Sequence, residues 1–404
     1  MTLSEELKWR GFVNQTTYED ISILDDQNIS FYIGVDPSAD SMTIGNLAAI
    51  MMVRHFVDHG HKAHLLVGGA TGLIGDPDGK DSERSLKTFN EVEKNKVGIA
   101  SQYKQLLAGK DFVLVDNYDW FKDINYLDFL RDIGKHVPMN QMIGRDFVAR
   151  RLGDDGNGIS YAEFSYALIQ GYDFLHLFKN YGVTLQLCGS DQWGNAVAGV
   201  DLIRRIEGAE ANIYTTPLVV NKTTGVKFGK SEAGAIWLDP QKTSVYNFYQ
   251  FWLNLDDAGV IDYLKIYTLL DKNSIDEVEG QFNSNPGERL AQKTLAREVT
   301  QLVHGKERTE SVMRVTDVLF GDQLLESLNT EDIDLLSSEI PTCQLGIGLI
   351  EALVQTKFVG SNGEARRLME SGAVTINGQK ITEDRVVSEK SLIKKGKNSF
   401  ILVK

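Results

Sequence analysis

The first half of the chain alternates short β-branched apolar runs with longer helical runs, and this alternation constrains the fold more than any other feature. Strands and helices that alternate through short connections favour a parallel sheet with helices on both faces. We therefore predict an α/β fold with a Rossmann-like parallel sheet over residues 1–220. The strand-like runs are 31–35, 64–67, 112–115 and 183–187, and the clearest helical runs are 46–59 and the one ending at Arg205.

Beyond Pro217 the sequence changes character three times. Residues 221–234 are polar and rich in glycine, which is typical of a mobile loop. A helical pattern then covers 245–319, with Pro286 placed as a first-turn proline. An acidic stretch with few large apolar side chains follows, and the end of the chain combines a helix with short strands and an Asn-Gly turn. The predicted domains are a loop and α-helical domain at 221–325, a linker at 326–341 and a small α+β domain at 342–404.

Composition restricts the class of protein and its compartment. The chain has 404 residues, 42% of them hydrophobic, which is enough for at least one large core. No run of eighteen apolar residues suggests a membrane span, and the first residues lack the basic and apolar segments of a signal peptide. The two cysteines fit a reducing compartment. We therefore expect a cytoplasmic protein that does not associate with a membrane.

Charge is distributed unevenly along the chain. The net charge of −14, averaged over the whole chain, disfavours nucleic-acid binding. The segment from Cys343 to Lys404 nevertheless holds ten Lys or Arg and six Asp or Glu, so it carries +4 and the remainder carries −18. Either this segment meets a polyanion or its basic side chains form a solvated surface, and composition leaves both interpretations open.

Three predicted strands end in small and polar residues. The first is followed by 36–41 and then by 43–46, which open a helix, and the others end in 68–77 and 189–192. Open parallel sheets bind ligands beyond the carboxyl ends of their strands, where the strand order switches. Small residues allow close backbone approach and helix N-termini attract phosphate, so the three strand ends together predict a nucleotide site. Residues 227–231 contain two lysines, which either bind a triphosphate or lie at a solvent-exposed hairpin tip, and both interpretations stay open.

Four neighbouring histidines raise the question of a zinc site. His55 and His59 share a helical face, but His61 falls in a turn and His64 in a strand. No cysteine or further carboxylate cluster lies nearby in the sequence to complete a ligand set. We therefore expect no structural metal.

These motifs together resemble the class I aminoacyl-tRNA synthetases, and specifically the bacterial-type tyrosyl enzymes, over nearly the whole chain. Residues 36–41 resemble the stretch before the family's His-Ile-Gly-His signature, and 227–231 resemble its second, Lys-Met-Ser-Lys-Ser signature. The segment 342–404 resembles a small RNA-binding domain first seen in a ribosomal protein, through 363–369 and 372–378. Further blocks in the family's order are 67–77, 117–120, 129–136, 163–166, 170–174 and 189–195.

The resemblance implies an enzyme that joins L-tyrosine to its tRNA. Tyrosine would be activated with ATP to tyrosyl-adenylate and pyrophosphate, with Mg²⁺ neutralising the leaving group. The tyrosyl group would then pass to the 3′-terminal adenosine of tRNA(Tyr). The resemblance also implies a homodimer, with the subunit interface in an insertion at about 117–164.

The resemblance further implies roles for individual residues. Those implied to bind tyrosine are Tyr32 and Asp173 at its hydroxyl, Asp76, Tyr166 and Gln170 at its ammonium group, and Asp36 and Gln192, which orient it. Those implied to bind ATP are Gly45, Asn46, Gly189, Asp191 and Lys230. Those implied to stabilise phosphate charge in the transition state are Lys227, Lys230, Ser231, Thr43 and Ser38. For Tyr32, simple core packing in a strand is the alternative.

The first signature departs from the family pattern. Thr43 stands where the family has its first histidine, and Asn46 stands where it has the second. Asparagine retains a hydrogen-bond donor, whereas threonine has a shorter reach than imidazole and no positive charge. We hypothesise that Thr43 and Ser38 still bind pyrophosphate in the transition state.

Three alternatives remain open on the sequence. The first is an enzyme for tryptophan, the closest in fold, which the pair Tyr32 and Asp173 disfavours. The second is a paralogue that binds RNA and no longer aminoacylates, which Thr43 motivates and the retained lysines 227 and 230 disfavour. The third is an adenylating enzyme that loads a different carrier, which the basic C-terminal segment disfavours.

Overall fold

The computed structural model describes residues 1–77, 86–144, 146–153, 156–228, 230–231 and 234–404. The helices are α1 (Leu3–Arg10), α2 (Ile23–Asp26), α3 (Ile44–Asp58), α4 (Thr71–Ile74), α5 (Phe89–Leu106), α6 (Tyr118–Phe121), α7 (Tyr126–Asp132), α8 (Met139–Ile143), α9 (Asp146–Leu152), α10 (Tyr161–Tyr181), α11 (Trp193–Glu207), α12 (Val245–Leu253), α13 (Val260–Tyr267), α14 (Lys272–Ser284), α15 (Leu290–His304), α16 (Lys306–Phe320), α17 (Thr330–Glu339), α18 (Leu349–Gln355) and α19 (Asn362–Glu370). The strands are β1 (Ser30–Val35), β2 (Lys62–Val67), β3 (Phe112–Asp116), β4 (Leu185–Gly189), β5 (Asn212–Thr216), β6 (Lys230–Ser231), β7 (Gly234–Ala235), β8 (Thr342–Cys343), β9 (Ile347–Gly348), β10 (Val374–Ile376), β11 (Gln379–Lys380), β12 (Val386–Val387), β13 (Ser391–Lys395) and β14 (Ser399–Val403).

The chain divides into two compact units. Unit 1 comprises Met1–Thr243 and Trp252–Val299, and unit 2 comprises Ser244–Phe251 and Thr300–Lys404. Among the helices that the structure describes in either unit, none combines the length and apolarity needed to cross a bilayer.

Unit 1 is built on a five-stranded sheet in the order β3-β2-β1-β4-β5, and every neighbouring pair is parallel. Its central strands are buried, because helices pack on both faces of a parallel sheet. Tyr32 and Leu66 from the sheet pack with Phe174 of α10 and Leu202 of α11 in one apolar cluster. The four predicted strands and the Rossmann-like α/β fold are therefore confirmed, and β5 is an additional strand that the sequence pattern did not indicate.

Local sequence signals fix where the helices beside this sheet begin and end. Thr88 and Glu91 form a capping box at the start of α5, each side chain bonding the other residue's backbone N–H. Gly182 ends α10 with φ +67°, a left-handed conformation that glycine adopts without steric cost. Thr43 occupies the N-cap position of α3, and that helix begins at Ile44, beyond the carboxyl end of β1. The chain thereby presents a helix N-terminus at the edge of the sheet where a ligand is expected.

Unit 2 contains a second five-stranded sheet, in the order β11-β10-β13-β14-β8. The predicted turn between β10 and β11 is confirmed, with Asn377 at φ 48° and Gly378 at φ 80°, the conformation of a tight hairpin turn. Alternate residues of β14 point to opposite faces. Ile401 packs in the cluster formed with α18 and α19, whereas Phe400 and Leu402 pack in a second cluster with α16 and α17.

The segment 326–341, predicted as a linker, carries structure of its own. Helix α17 is capped by Asn329, and its Ile333 and Leu336 are buried in the cluster that also contains Phe400. The two leucines among acidic residues were too few to indicate a packed helix, but two or three apolar side chains suffice when a sheet face needs covering.

The predicted helical region 245–319 is confirmed as α12–α16, although Pro286 opens a short 3₁₀ turn rather than an α-helix. The predicted domain boundaries stay predictions.

Candidate active site

The carboxyl ends of β1 and β4 open onto a cavity of about 380 Å³. The strand order switches here, because β2 and β3 lie on one side of β1 while β4 and β5 lie on the other. This is the place where open parallel sheets bind ligands. The predicted site residues that line the cavity are Tyr32, Asp36, Ser38, Thr43, Gly45, Asn46, Asp76, Tyr166, Gln170, Asp173, Gly189, Asp191, Gln192 and Lys227. Lys230 and Ser231 form β6, but their side chains and all of Gly229 lie outside what the structure describes.

A buried carboxyl group stands on α10 at one side of this cavity. Asp173 is 2% exposed, and it accepts hydrogen bonds from Trp120 Nε1 at 2.9 Å and from Asn117 Nδ2 at 3.0 Å. Burial raises the pKa of Asp173 well above its usual value, and the two donors act in the opposite direction. A carboxylate can accept about four hydrogen bonds, so Asp173 can accept a further donor from a ligand.

Three polar side-chain atoms of the cavity wall are buried without a hydrogen-bond partner in the described part of the chain. They are the hydroxyl of Tyr32 and the Oε1 atoms of Gln170 and Gln186. Burial, and then the charge of Asp173, raise the pKa of Tyr32 well above its usual value. A buried polar group without a partner costs ~1–3 kcal/mol. A ligand that supplied matching donors and acceptors would recover this cost, and we infer that the cavity is shaped for a partly polar ligand.

Asp36 follows β1 directly and anchors the middle of the cavity. Its Oδ2 accepts from the hydroxyl of Tyr166 at 2.8 Å and its Oδ1 from the hydroxyl of Thr71 at 2.6 Å. Burial, followed by the charges of Asp36 and Asp76, raises the pKa of Tyr166 well above its usual value, so this phenol remains a donor. A Cβ on Gly68 would collide with Thr71 and Asp36, and only glycine fits there.

A second carboxylate, Asp76, lies on the other arm of the site. Gln192 Nε2 donates to Asp76 Oδ2 at 2.6 Å, and Asn195 Nδ2 donates to Gln192 Oε1 at 3.2 Å. Asp36 and Asp76 thus both contribute to the wall of one cavity. Two carboxylates in a partly desolvated cleft favour a cationic group such as an ammonium.

The N-terminus of α3 presents the residues of the first signature. The backbone N–H and the hydroxyl of Thr43 both donate to Asn46 Oδ1, at 2.9 and 3.1 Å. Ser38 and Gly45 line the same part of the cavity. The free N–H groups and the dipole of a fifteen-residue helix favour an anion at this end.

The opposite wall carries the residues expected to meet the ribose and the phosphates. Asp191 lies in the 3₁₀ turn Ser190–Gln192 after β4, and its Oδ2 is 3.2 Å from Lys227 Nζ. A Cβ on Gly189 would lie 2.6 Å from Asp191 Oδ1, so a side chain there would push the carboxylate aside. Lys227 is therefore paired with Asp191 at the rim of the cavity.

Several residues that shape this site are absent from the site predicted from the sequence. Asn117, fully buried, donates from Nδ2 to both Asp173 and Thr71, while its Oδ1 accepts from the N–H of Ala70 at 2.7 Å. A signal was available, because Asn117 follows the last residue of β3 and begins one of the family-like blocks. Gln186 had no such signal, since it lies inside β4 and becomes part of the site only as the neighbour of Tyr32.

Of the four histidines considered for zinc, His55 and His59 both contact Glu6, whereas His61 and His64 bond to other groups. His61 Nδ1 accepts from the N–H of Ile29 at 3.1 Å, and His55 Nδ1 is 3.3 Å from Glu6. Burial lowers the pKa of His55 to about 3, so it is neutral at physiological pH. Within the described ranges, no group of three or more His, Cys, Asp or Glu side chains is placed to hold a metal ion.

Comparison with known proteins places this site in a family. A model described as tRNA synthetases class I (W and Y) matches residues 24–321, and one described as a tyrosine–tRNA ligase SYY-like C-terminal domain matches 332–404. The chain belongs to the class I tRNA synthetases for tryptophan and tyrosine. Curated relatives of this synthetase include the tyrosine–tRNA ligase of Flavobacterium psychrophilum, 42% identical over 99% of the chain and 96% of the relative, and tyrosine–tRNA ligase 2 of Bacillus cereus, 43% identical over the full length of both.

Solved structures agree with this assignment of the synthetase. The C-terminally truncated mitochondrial tyrosyl-tRNA synthetase of Aspergillus nidulans is 31% identical, with a TM-score of 0.69 over 77% of this chain and 92% of that one. The tryptophanyl-tRNA synthetase of Encephalitozoon cuniculi has a TM-score of 0.56 at 14% identity, over 83% of this chain and 92% of that one. At 14% identity, the similarity to the tryptophanyl enzyme shows a shared fold alone.

Proposed function

We propose that this class I synthetase is a cytoplasmic tyrosine–tRNA ligase, which activates L-tyrosine with ATP and transfers it to tRNA(Tyr). The observation that carries the choice of amino acid is the pair Tyr32 and Asp173 on the cavity wall. Asp173 is a buried acceptor with two fixed donors, and Tyr32 has a buried hydroxyl without a protein partner. A phenol supplies one donor and one acceptor, which satisfies both residues at once. An indole has a donor but no hydroxyl oxygen to accept from Tyr32.

The rest of the cavity accounts for the other end of the amino acid. The ammonium group lies against Asp76, Tyr166 and Gln170. Asp36 and Gln192 orient the substrate through their hydrogen bonds to Tyr166 and Asp76. The carboxylate is then directed towards the N-terminus of α3, where ATP binds. This arrangement brings the nucleophile and the α-phosphate together, and such positioning supplies a large part of the rate enhancement.

The first step needs no general base, because the attacking carboxylate of tyrosine is already an anion. One carboxylate oxygen forms a bond to the α-phosphorus, and the bond from that phosphorus to the bridging oxygen of pyrophosphate breaks. Ser38, Thr43, Lys227, Lys230 and Ser231 stabilise the charge that develops on the phosphates. Mg²⁺ bound to the phosphates of ATP would neutralise part of the charge on the leaving pyrophosphate.

In the second step a ribose hydroxyl of the 3′-terminal adenosine of the tRNA attacks the tyrosyl carbonyl, and AMP leaves. The tRNA-binding role of residues 342–404 is supported by their net positive charge and by the exposed side chains of Lys357, Arg366 and Arg367. These cations can pair with phosphates without sequence preference.

A homodimer is the proposed assembly, with its interface in the segment 117–164. Helices α6 and α7 have no buried residue in the single chain. Apolar side chains exposed in this segment are Tyr126 (59%), Leu127 (71%), Met139 (57%), Ile143 (44%), Leu152 (52%) and Tyr161 (61%). Exposed apolar residues clustered in one segment indicate a surface that a partner covers. Leu127→Asp should give a monomer by light scattering coupled to gel filtration, and a variant that remained a dimer would place the interface elsewhere.

ATP–pyrophosphate exchange with tyrosine, phenylalanine and tryptophan, each supplied alone, tests the proposed activity. We expect exchange with tyrosine only, followed by tyrosine-dependent charging of tRNA(Tyr). Exchange with tryptophan in place of tyrosine would reassign the amino acid. Exchange with none of the three would favour a paralogue that retains RNA binding through residues 342–404.

A further inference from the structure

Residues 219–228, here called the loop-base hairpin, form two antiparallel arms that an isolated β-bridge joins, here called its first and second strand, and they lead into the second signature. Phe228 N–H donates to a carbonyl of the opposite strand at 2.8 Å, and Val220 pairs with Lys227 in an antiparallel bridge. The turn is closed by Asn221, whose Oδ1 accepts from two peptide N–H groups at 2.9 Å each. The sequence predicted a mobile loop in this region, but this part of it has regular hydrogen bonding.

The hydroxyl of Tyr263, on α13, hydrogen-bonds to the first strand of this hairpin. Tyr263 Oη donates to the carbonyl of Val220 at 3.0 Å and accepts from the N–H of Lys222 at 3.2 Å. Both partners are backbone groups, so the contact fixes the path of the chain. Lys222 is also paired with Asp262, the residue before Tyr263, at 3.1 Å.

The ring of the same tyrosine grips the second strand. Tyr263 and Phe228 stack with ring centroids 4.4 Å apart and an interplanar angle of 25°. Phe228 is 5% exposed, and it also lies against Trp252 and Tyr267. An aromatic residue buried this deeply resists displacement. One side chain, Tyr263, therefore contacts both strands of the loop-base hairpin.

The hairpin sets where the first lysine of the second signature lies. Lys227 sits directly before the anchored Phe228 and opposite Val220, and its Nζ reaches Asp191 on the cavity wall. A shift of the hairpin by even one ångström would carry this ammonium away from the phosphates, and enzyme rates are sensitive to such displacements. Tyr263 itself does not line the ligand cavity.

We propose that Tyr263 is a positioning residue for amino-acid activation, which holds the loop-base hairpin so that Lys227 meets the phosphates of ATP. The inference rests on the proposed function, because it concerns the same activation step. Tyr263 belongs to none of the motifs that the sequence analysis identified. Its effect should therefore be confined to the ATP side of the reaction and should require Lys227.

Tyr263→Phe removes the two hydrogen bonds and keeps the stacked ring. In pyrophosphate exchange we expect kcat/KM for ATP to fall roughly tenfold, as two hydrogen bonds of ordinary strength imply, with KM for tyrosine unchanged. Tyr267→Phe is the matched control, because its hydroxyl is buried in the same aromatic cluster without a partner among described residues. In a Lys227→Ala background, Tyr263→Phe should have little further effect, since the two residues act together.

Tryptic cleavage after Lys222 and Lys227 supplies a readout that does not depend on activity. Tyr263→Phe should accelerate cleavage at these exposed lysines, and Tyr267→Phe should not. The proposal is overturned if the two variants match in both assays, or if Tyr263→Phe raises KM for tyrosine as much as it lowers kcat/KM for ATP. A wild-type chain without exchange activity would refute the proposed function alone, because the cleavage rates would still report whether Tyr263 holds the hairpin.

Discussion

Asp173→Ala is the sharpest test of how the cavity chooses tyrosine. The substitution removes a side chain that is 2% exposed and that accepts from Trp120 and Asn117. Asn117 keeps a second acceptor in Thr71, whereas the indole N–H of Trp120 would have to find water in the space that is left. The perturbation is therefore local to the end of the cavity that we assign to the phenol.

The expected change follows from the hydrogen bond that the ligand loses. A hydrogen bond from the tyrosine hydroxyl to the carboxyl group of Asp173 contributes ~0.5–3 kcal/mol across its neutral and charged forms, so kcat/KM for tyrosine should fall by roughly 2- to 150-fold. Phenylalanine has no such bond to lose. In the wild type its ring leaves Asp173 and Tyr32 without the ligand partners that they require, and this penalty is partly removed in the variant. The ratio of kcat/KM for tyrosine to that for phenylalanine should therefore fall by at least the loss for tyrosine.

Pyrophosphate exchange with each amino acid over a range of concentrations gives both values of kcat/KM. Tyr32→Phe is a useful companion variant, because it removes a hydroxyl that has no partner in the described chain and so should not lower the melting temperature. It should reduce kcat/KM for tyrosine by less than Asp173→Ala does, since a neutral hydrogen bond contributes only ~0.5–1.5 kcal/mol.

An unchanged ratio of the two amino acids in Asp173→Ala would refute the assignment of Asp173, provided that the variant melts cooperatively. One way to obtain an unchanged ratio is a fall of equal size in kcat/KM for both amino acids, which would indicate general damage to the cavity. Recovery of phenylalanine activation alongside loss of tyrosine activation is the pattern that the proposed role requires.

Three further predictions concern other parts of unit 1. Thr43→Ala should lower the activation rate in pyrophosphate exchange roughly 10- to 150-fold, because a hydrogen bond to a charged phosphate, ~1.5–3 kcal/mol, is lost. An unchanged rate would exclude Thr43 from the activation step, and a faster Thr43→His would show that threonine is only tolerated. Gly68→Ala should lower the free energy of unfolding, measured in urea, by ~1–3 kcal/mol, because the added methyl group collides with Asp36 and Thr71. A variant as stable as the wild type would contradict this close packing. The pKa of His55 is lowered from 6.5 to about 3, so His55 stays neutral in the fold but gains a proton on unfolding. The free energy of unfolding should therefore fall as the pH drops below 6.5, by up to ~1.4 kcal/mol per pH unit. The melting temperature of His55→Gln should depend less steeply on pH between pH 7 and pH 5, and equal slopes would contradict the burial argument.

Much of the site could be predicted because its residues lie at the ends of strands. Asp36 follows β1 directly, Gly189 is the last residue of β4, and Asp191 lies two residues beyond it. Parallel strands bring their carboxyl ends to one edge of the sheet. Residues that act inside elements gave no such signal. Gln186 enters the site only because it pairs with Tyr32 across two strands, a register that hydrophobic pattern does not specify for buried parallel strands.

Segments of low hydrophobicity were the second source of difference. Helix α17 lies in the segment predicted as a linker, because that segment is acidic and Leu335 and Leu336 were the large apolar side chains noted in it. Its burial depends on the outward face of β14, where Phe400 and Leu402 need a covering layer. Packing partners of this kind lie far along the chain, and local composition contains no information about them.

The sequence by itself determined the class of fold, the order of the signatures and the basic C-terminal segment, because periodicity, turn residues and charge act over short stretches of chain. The tertiary structure alone decided which side chains work together. Asn117 and Asp173 are 56 residues apart and meet through one hydrogen bond, and Tyr263 contacts Lys222 across 41 residues. Such contacts depend on how distant elements pack, and their energies depend on the burial that packing creates.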